Sequence, residues 1–249
     1  PYQVSSDALD IFIRDFFNNG GDGLNITLPH KITCIDSADD KSTLVKKIGA
    51  ANILIHNKDS NKIIADSTDG NGFIEDLHCK FIKLAQKNVL ILGAGGAAQS
   101  IIPAIQNEKP ANIFIDNRSP GKIQPMIERF LSSGDNNEGT LSSLSNLQSF
   151  SGNNHIKKGM HLVINTTSAG FDGSFQWDGD LYANEKTVFY DLSYSNANGI
   201  TPFLKWAGQY SDQCHDGIGM LINQAALSFE MWTGVKPDTK ITTAEMLNE

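Results

Sequence analysis

Apolar residues recur along the chain with a period that changes from block to block, and the changes mark out the elements. Leu9, Phe12, Ile13, Phe16 and Phe17 fall three and four apart, the stripe of an amphipathic helix; Ser6 and Asp7 open it and Gly20-Gly21 stops it. From Gly23 to Pro29 the pattern alternates. On a strand, Leu24, Ile26 and Leu28 share one face, and Asn25 and Thr27 share the other. Pro29 ends that strand, and His30-Lys31 follow at its carboxyl end, where open α/β sheets place ligand-binding groups. Residues 51–56 and 62–66 predict a hairpin around Asp59-Ser60-Asn61. A helix then carries Phe73, Leu77, Phe81 and Leu84 on one stripe, with Thr68 or Asp69 near its start.

After Lys87 the texture changes. Asn88 to Leu92 holds a continuous apolar run, typical of a strand buried on both faces, and it leads into Gly93-Ala94-Gly95-Gly96-Ala97-Ala98 and an apolar helix to about Ile105. A second buried strand covers Asn112 to Asp116, and others cover His161–Asn165 and Thr187–Asp191. Residues 132–154, rich in Ser, Asn and Gly, predict a mobile connection with at most one short helix. Two helices, roughly 201–210 and 217–233, close the chain, and the domain boundary falls near residues 86–88. The alternation of helices and strands is the α/β signature.

Composition narrows the function classes. The 249 residues are 40% hydrophobic and 19% charged, a globular balance, and the formal net charge is -8. Such a field repels phosphate backbones, which argues against a nucleic-acid or anionic-membrane surface; a locally basic cleft still admits a small anion. Cys34, Cys79 and Cys214 are odd in number and far apart, without disulfide or zinc spacing, which suits a reducing cytoplasm. No apolar run reaches the roughly 18 residues of a membrane span, and the first residues show no secretory signal pattern. The expectation is a soluble cytoplasmic protein with no metal site.

Gly93-x-Gly95-x-x-Ala98 lies between a buried strand and a helix, the context of a dinucleotide-binding turn. Gly93 permits the tight turn, Gly95 lets a pyrophosphate approach the backbone, and Ala98 lets helix and strand pack closely. The next strand ends in two conflicting signals. Asp116 is an acid suited to the ribose hydroxyls of NAD, whereas Asn117-Arg118-Ser119 with Lys122 suits the 2′-phosphate of NADP. The phosphate reading is favoured because the cluster lies in the loop a cofactor reaches. Lys31 and Asp69 form a candidate reacting pair, since hydride removal from a carbinol needs a group to receive the hydroxyl proton. Taken singly, Lys31 reads as solvated surface and Asp69 as a helix cap. Asn25, Thr27 and Asn52 add neutral donors and acceptors suited to a polyhydroxy substrate.

Several motifs in one order carry a resemblance to the shikimate dehydrogenase family. They are Gly23-Leu24-Asn25-Ile26-Thr27-Leu28-Pro29-His30-Lys31, Gly49-Ala50-Ala51-Asn52, Ser67-Thr68-Asp69-Gly70 and the glycine turn with Asn117-Arg118-Ser119. Asn165-Thr166-Thr167-Ser168-Ala169-Gly170, Tyr190-Asp191-Leu192-Ser193-Tyr194, Thr201-Pro202-Phe203-Leu204 and the run from Asp216 to Ala226 complete the set. The resemblance implies two α/β domains with a cleft between them. Residues 1–87 would form the substrate domain, 88–210 a doubly wound, Rossmann-like parallel sheet for NADP, and 211–249 helices that return to the first domain.

By resemblance, Lys31 and Asp69 are the catalytic pair, and Asn25, Thr27, Asn52, Tyr194 and Gln224 hold the hydroxyls and carboxylate of shikimate or 3-dehydroshikimate. Gly93, Ala94, Gly95, Gly96 and Ala97 would hold the pyrophosphate of NADP. Asn117, Arg118, Ser119 and Lys122 would hold its 2′-phosphate, and Thr166, Ser168, Gly217 and Met220 would lie near the nicotinamide. The implied activity is reversible NADPH-dependent reduction of 3-dehydroshikimate to shikimate, on the route to chorismate and the aromatic amino acids, by a monomer or homodimer. Two alternatives stand beside it: a quinate-oxidising paralogue using NAD or NADP, and a non-catalytic nucleotide-binding relative.

Three departures from the family pattern are visible. The family's opening strand and helix, with a Ser-x-Ser pair for the carboxylate, have no counterpart, and Pro1-Tyr2-Gln3 resembles the stretch just beyond them. Ser67 stands where Asn is usual before Thr-Asp, a shorter side chain beside Asp69. Gln99 replaces a frequent Arg at the phosphates, leaving more of the affinity to Arg118 and Lys122.

Overall fold

The computed structural model describes residues 1–132, 146–150, 159–168, 174–179, 181–195 and 199–239. Helix α1 (Leu9–Asn18) buries Leu9, Ile13 and Phe17 against a four-stranded sheet and leaves Phe12 and Phe16 half-buried at its margin. That sheet has the order β1-β3-β4-β2, with β1 at Gly23–Asn25, β2 at Asp40–Lys41, β3 at Ile53–Asn57 and β4 at Lys62–Asp66. The β3–β4 hairpin is antiparallel, with Ile53 opposite Asp66 and Asn57 opposite Lys62. Helix α2 (Thr43–Ile48) follows β2; Ser42 caps it by accepting from the Val45 amide, and Gly49 ends it with φ +70°.

Helix α3 (Asp69–Cys79) links this sheet to a second one. The second sheet holds β5 (Asn88–Leu92), β6 (Asn112–Asp116), β7 (Leu147–Ser149), β8 (Leu162–Asn165), β9 (Val188–Asp191) and β10 (Cys214–His215). Its order is β10-β9-β8-β5-β6-β7 and every pairing is parallel. Counted within the sheet this is the 3-2-1-4-5-6 order of a doubly wound dinucleotide fold, whose order reverses between β5 and β8. Helices α4 (Gly96–Asn107), α5 (Ile123–Ser132) and α6 (Pro202–Ala207) connect its strands. Val89 and Ile91 face one core with Ile101, Ile105 and Phe130, while Leu90 and Leu92 face another with Phe189 and Phe203. This is the two-sided burial that the apolar run predicts. The first of these cores also takes Ile48, Ala50 and, from α3, Phe73 and Leu77, so it draws on the first half of the chain, while the first sheet keeps a core of its own around Leu24, Leu54 and Ile63. The last helix, α7 (Ile218–Thr233), packs along α3 and reaches β1 and β3, whereas Cys214–His215 still belong to the second sheet.

Several expectations change. The strand predicted from Gly23 to Pro29 stops at Asn25: the Ile26 amide still bonds the Asn52 carbonyl in the β1–β3 register, and a turn then closes from Thr27 to His30. Leu28 is therefore 62% exposed and does not share a buried face with Leu24. Phe81 leaves the predicted stripe: α3 ends at Cys79, and Phe81 has φ +59° and is 89% exposed, while Leu84 is buried. Within 132–154 the described part includes strand β7 rather than a helix; residues 133–145 and 151–154 lie outside the described residues. The helix expected over 201–210 spans only Pro202–Ala207, with the Thr201 hydroxyl accepting from the Leu204 amide. Helices α2 and α5 and strands β2 and β10 were not anticipated.

Candidate active site

Asn52 is the structural centre of the site. It directly precedes β3, where its carbonyl accepts from Ile26 and its amide donates to Asp66 O. Its buried side chain is held at both ends: Oδ1 accepts from the Thr68 amide at 2.7 Å, and Nδ2 donates to Thr68 Oγ1 and Gln224 Oε1, each at 2.9 Å. Thr68 Oγ1 also shares a 3.0 Å hydrogen bond with Ser228 Oγ on α7. One residue thus ties together the exit of β1, the start of α3 and the middle of α7. Asp69, the first residue of α3, stands at the helix end where a carboxylate is favoured.

Lys31 reaches Asp69 from the turn after β1, and its carbonyl accepts from the Ala51 amide. Nζ donates to Asp69 Oδ2 at 2.5 Å, with only 15% and 4% of the two side chains exposed. An ion pair this shielded is held by its geometry rather than screened by solvent. It lies on the wall of a cavity of about 570 Å³. Asn25, Thr27, Asn52, Tyr194 and Gln224 all line the same cavity, so every residue assigned to substrate by resemblance converges there. Gln224 is oriented further by donating Nε2 to Leu221 O. Leu28, Leu192 and Leu221 add apolar wall that the sequence reading missed, Leu28 because the strand alternation put it on one face with Leu24 and Ile26.

The opposite wall is the carboxyl edge of the second sheet. Ala97, Thr166, Ser168, Gly217 and Met220 line the cavity there. Gly93 has φ +115°, and a Cβ on it would meet Thr166 Oγ1 at 2.3 Å, so the turn and the end of β8 close on each other across the order reversal. Thr166 is itself fixed by donating Oγ1 to Leu92 O at 2.8 Å. At Gly95 a Cβ would find nothing within 4 Å, and the first amides of α4 follow it. An open backbone cradle at a helix N-terminus fits a dinucleotide pyrophosphate. A Cβ on Gly96 would lie 3.8 Å from Lys31 Cβ, which brings this turn directly against the Lys31–Asp69 pair.

Gly93, Ala94, Gly95 and Gly96 lie outside the cavity lining, as do Asn117, Arg118, Ser119 and Lys122 beyond β6. Arg118, Ser119 and Lys122 are exposed, and among the described residues Arg118 and Lys122 make no ion pair. Asn117 Nδ2 donates to Ser119 O, giving that loop its shape. Each oxygen of Asp116 accepts one hydrogen bond, Oδ1 from the Asn117 amide at 2.9 Å and Oδ2 from Trp177 Nε1 at 2.5 Å. The departure at Gln99 has a counterpart on α5. Gln99 Nε2 donates to Ala94 O and Oε1 accepts from Arg129 at 2.8 Å, so a guanidinium stands behind the neutral amide. At the other departure, the Ser67 hydroxyl is buried and has no hydrogen-bond partner among the described residues.

Behind the cavity rim, Asp191 at the end of β9 accepts from Asn165 Nδ2, the Ser193 amide and Thr201 Oγ1. Burial pushes its carboxyl above the ordinary 3.8, against those three hydrogen bonds.

A parallel sheet in this order, with an open glycine turn facing a polar cleft and a shielded lysine–aspartate pair, defines the class: a two-domain α/β protein built to bring a dinucleotide against a small polar molecule. Family models match residues 1–54 as "Shikimate dehydrogenase substrate binding domain", 75–167 as "Shikimate / quinate 5-dehydrogenase" and 217–247 as "Shikimate 5'-dehydrogenase C-terminal domain". A shikimate dehydrogenase (NADP(+)) of Vesicomyosocius okutanii is 40% identical over 230 residues, 92% of this chain and 80% of its own length. Two solved structures agree in fold. An Ael1 enzyme from Pseudomonas putida superposes with TM-score 0.83 at 28% identity, covering 98% of this chain and 85% of that one. A shikimate 5-dehydrogenase from Thermus thermophilus, in complex with NADP(H) and shikimate, superposes with TM-score 0.77 at 25% identity, covering 96% and 83%. The chain belongs to the shikimate dehydrogenase family. Its first sheet lies in the substrate-binding domain and its second is the Rossmann-like, dinucleotide-binding sheet.

Proposed function

We propose that this protein catalyses the reversible NADPH-dependent reduction of 3-dehydroshikimate to shikimate. The observation that carries the reading is the Lys31–Asp69 pair, 2.5 Å apart, on the wall of one cavity that also presents the start of the nucleotide-turn helix. When bound, the nicotinamide supplies or takes the hydride, and the residues of the chain do the rest. Asn25, Thr27 and Tyr194 offer hydroxyl and amide groups to the ring hydroxyls and the carboxylate, and Gln224 is held for the same task by Asn52. In reduction, Lys31 Nζ gives a proton to the carbonyl oxygen as hydride reaches its carbon. Asp69 Oδ2 keeps Nζ in place through the step, and Lys31 is reprotonated afterwards. Oxidation runs the same path backwards, with the hydroxyl proton passing to Nζ.

The reading for NADP rests on Asp116. An acid free to meet ribose hydroxyls would favour NAD; this one is engaged by Trp177 and the Asn117 amide, while Arg118 and Lys122 stand exposed beside it.

The test is the initial rate of NADPH formation from shikimate and NADP, with NAD and quinate run alongside. The expected result is a shikimate-dependent rate that prefers NADP. Lys31→Ala is expected to lower kcat by about 10²–10⁴-fold with the fold intact. An unchanged kcat would remove Lys31 from the chemistry, and cofactor binding without any turnover would overturn the enzymatic reading.

A further inference from the structure

The indole of Trp177 is wedged into the face of the second sheet away from α4. Its ring packs on Phe150 at 5.5 Å between centroids and meets Trp206 edge-on at 6.3 Å. It also lies flat on Gly179, where a Cβ would fall 2.1 Å from the ring. Three supports leave the indole one orientation, with Nε1 aimed at Asp116 Oδ2. The acceptor is the residue on which the choice of cofactor turns: an acid at the end of the second strand of such a sheet pairs with the ribose hydroxyls of NAD and repels a 2′-phosphate. Arg118 and Lys122, on the loop beyond that strand, supply the opposite preference.

We infer that Trp177 is a specificity-determining residue of this protein: by donating to Asp116 it withdraws the carboxylate from the ribose site and lets the basic loop select the 2′-phosphate. The inference rests on the NADP reading above and names the residue that enforces it. Trp177 acts through Asp116 and is a positioning residue. It lies 61 positions beyond Asp116 in the chain, so the protein carries an acid of the NAD type and the donor that holds it on separate segments. Trp177→Phe removes the donor and keeps a ring in the aromatic cluster. The freed Oδ2 then seeks the ribose hydroxyls.

Isothermal titration of NADP⁺ and NAD⁺ into the full chain reads the effect without turnover. The wild-type protein is expected to bind NADP⁺ more tightly, and Trp177→Phe to lower the NADP⁺-to-NAD⁺ affinity ratio by about tenfold. Trp177→Phe/Asp116→Asn is expected to restore the ratio, because the effect runs through the carboxylate; a purely structural role for the ring would not be rescued that way. Gly179→Ala, which displaces the indole without removing it, should shift the ratio in the same direction and serves if the Phe variant does not fold. A ratio within about twofold of wild type in a folded Trp177→Phe or Gly179→Ala variant overturns the role of Trp177 and leaves the NADP reading standing. A wild-type chain that binds NAD⁺ more tightly overturns the NADP reading, and this inference with it.

Discussion

Ser67 directly precedes the Thr68-Asp69 pair on which the site depends, yet its own hydroxyl is buried without a partner among the described residues. A polar group in that state costs about 1–3 kcal/mol, so Ser67→Ala is expected to raise stability by about 1 kcal/mol and Tm by about 2–4 °C. Differential scanning calorimetry checks this, and a lower Tm would show that the hydroxyl is satisfied in solution. Asp69 keeps its place despite the short side chain because Asn52 clamps Thr68 from the other side. Such clamps mark the limit of what the sequence reveals at this scale. Lys31, Asp69 and the cavity-lining polar residues stand out through local motifs. The bond from Asn52 to Gln224 joins residues 172 positions apart, and no spacing rule anticipates it. The engagement of Asp116 by Trp177, 61 positions further on, was invisible for the same reason.

Helices α3 and α7 meet through glycines. A Cβ at Gly72 would lie 2.6 Å from the Gln224 backbone nitrogen, and one at Gly219 would lie 1.9 Å from Asp76 Oδ1. The crossing is therefore close enough for Gln224 to reach Asn52 and for the buried Asp76 to sit against the first turn of α7. Gly72→Ala is expected to force the helices apart, at a cost of about 1–3 kcal/mol in urea unfolding. It should also raise the KM for shikimate, since Gln224 moves with its helix. A stability loss with KM unchanged would separate Gln224 from substrate binding. Elements with a strong period were legible: α1, β5 and the β3–β4 hairpin stand close to where the pattern predicts. The misses have two causes. Ser42 and Gly49 bracket α2 and Ile123, Met126, Ile127 and Phe130 mark α5, signals that were present and unread. The early end of β1 and the exposure of Phe81 follow from the turn between Thr27 and His30 and from a left-handed backbone at Phe81, which no side-chain pattern encodes.

Across the whole molecule, one buried acid links the cofactor half to its own rim. Asp191 gathers Asn165 from β8, the Ser193 amide from the cavity rim and Thr201 at the head of α6. Its carboxyl is raised above 3.8 by burial, so the native state holds its proton at a pH where the unfolded chain has lost it. This contribution to stability is complete below about 3.8 and fades as pH rises through the folded value. Relative to Asp191→Asn, the wild-type protein is therefore expected to lose stability as pH rises from about 4 toward neutrality; parallel denaturant titrations show it, and equal pH slopes would refute it. The two-domain plan was legible at this scale because the glycine turn and the β5 run announce the second sheet. The shared apolar packing between the halves was not, since α3 reads as a helix of the first domain alone.

Lys31 and Asp69 are both carried by the segment that precedes the second sheet, and their mutual distance is set by Asn52, Thr68 and the Ala51–Lys31 backbone bond. The groups opposite, Thr166, Ser168 and Tyr194, belong to the other half. The lysine and its aspartate are thus positioned within one half, and the surface across the cleft is supplied by the other. Substitutions at Thr166, Ser168 or Tyr194 therefore reshape the cleft while the Lys31–Asp69 distance stays with the network around Asn52.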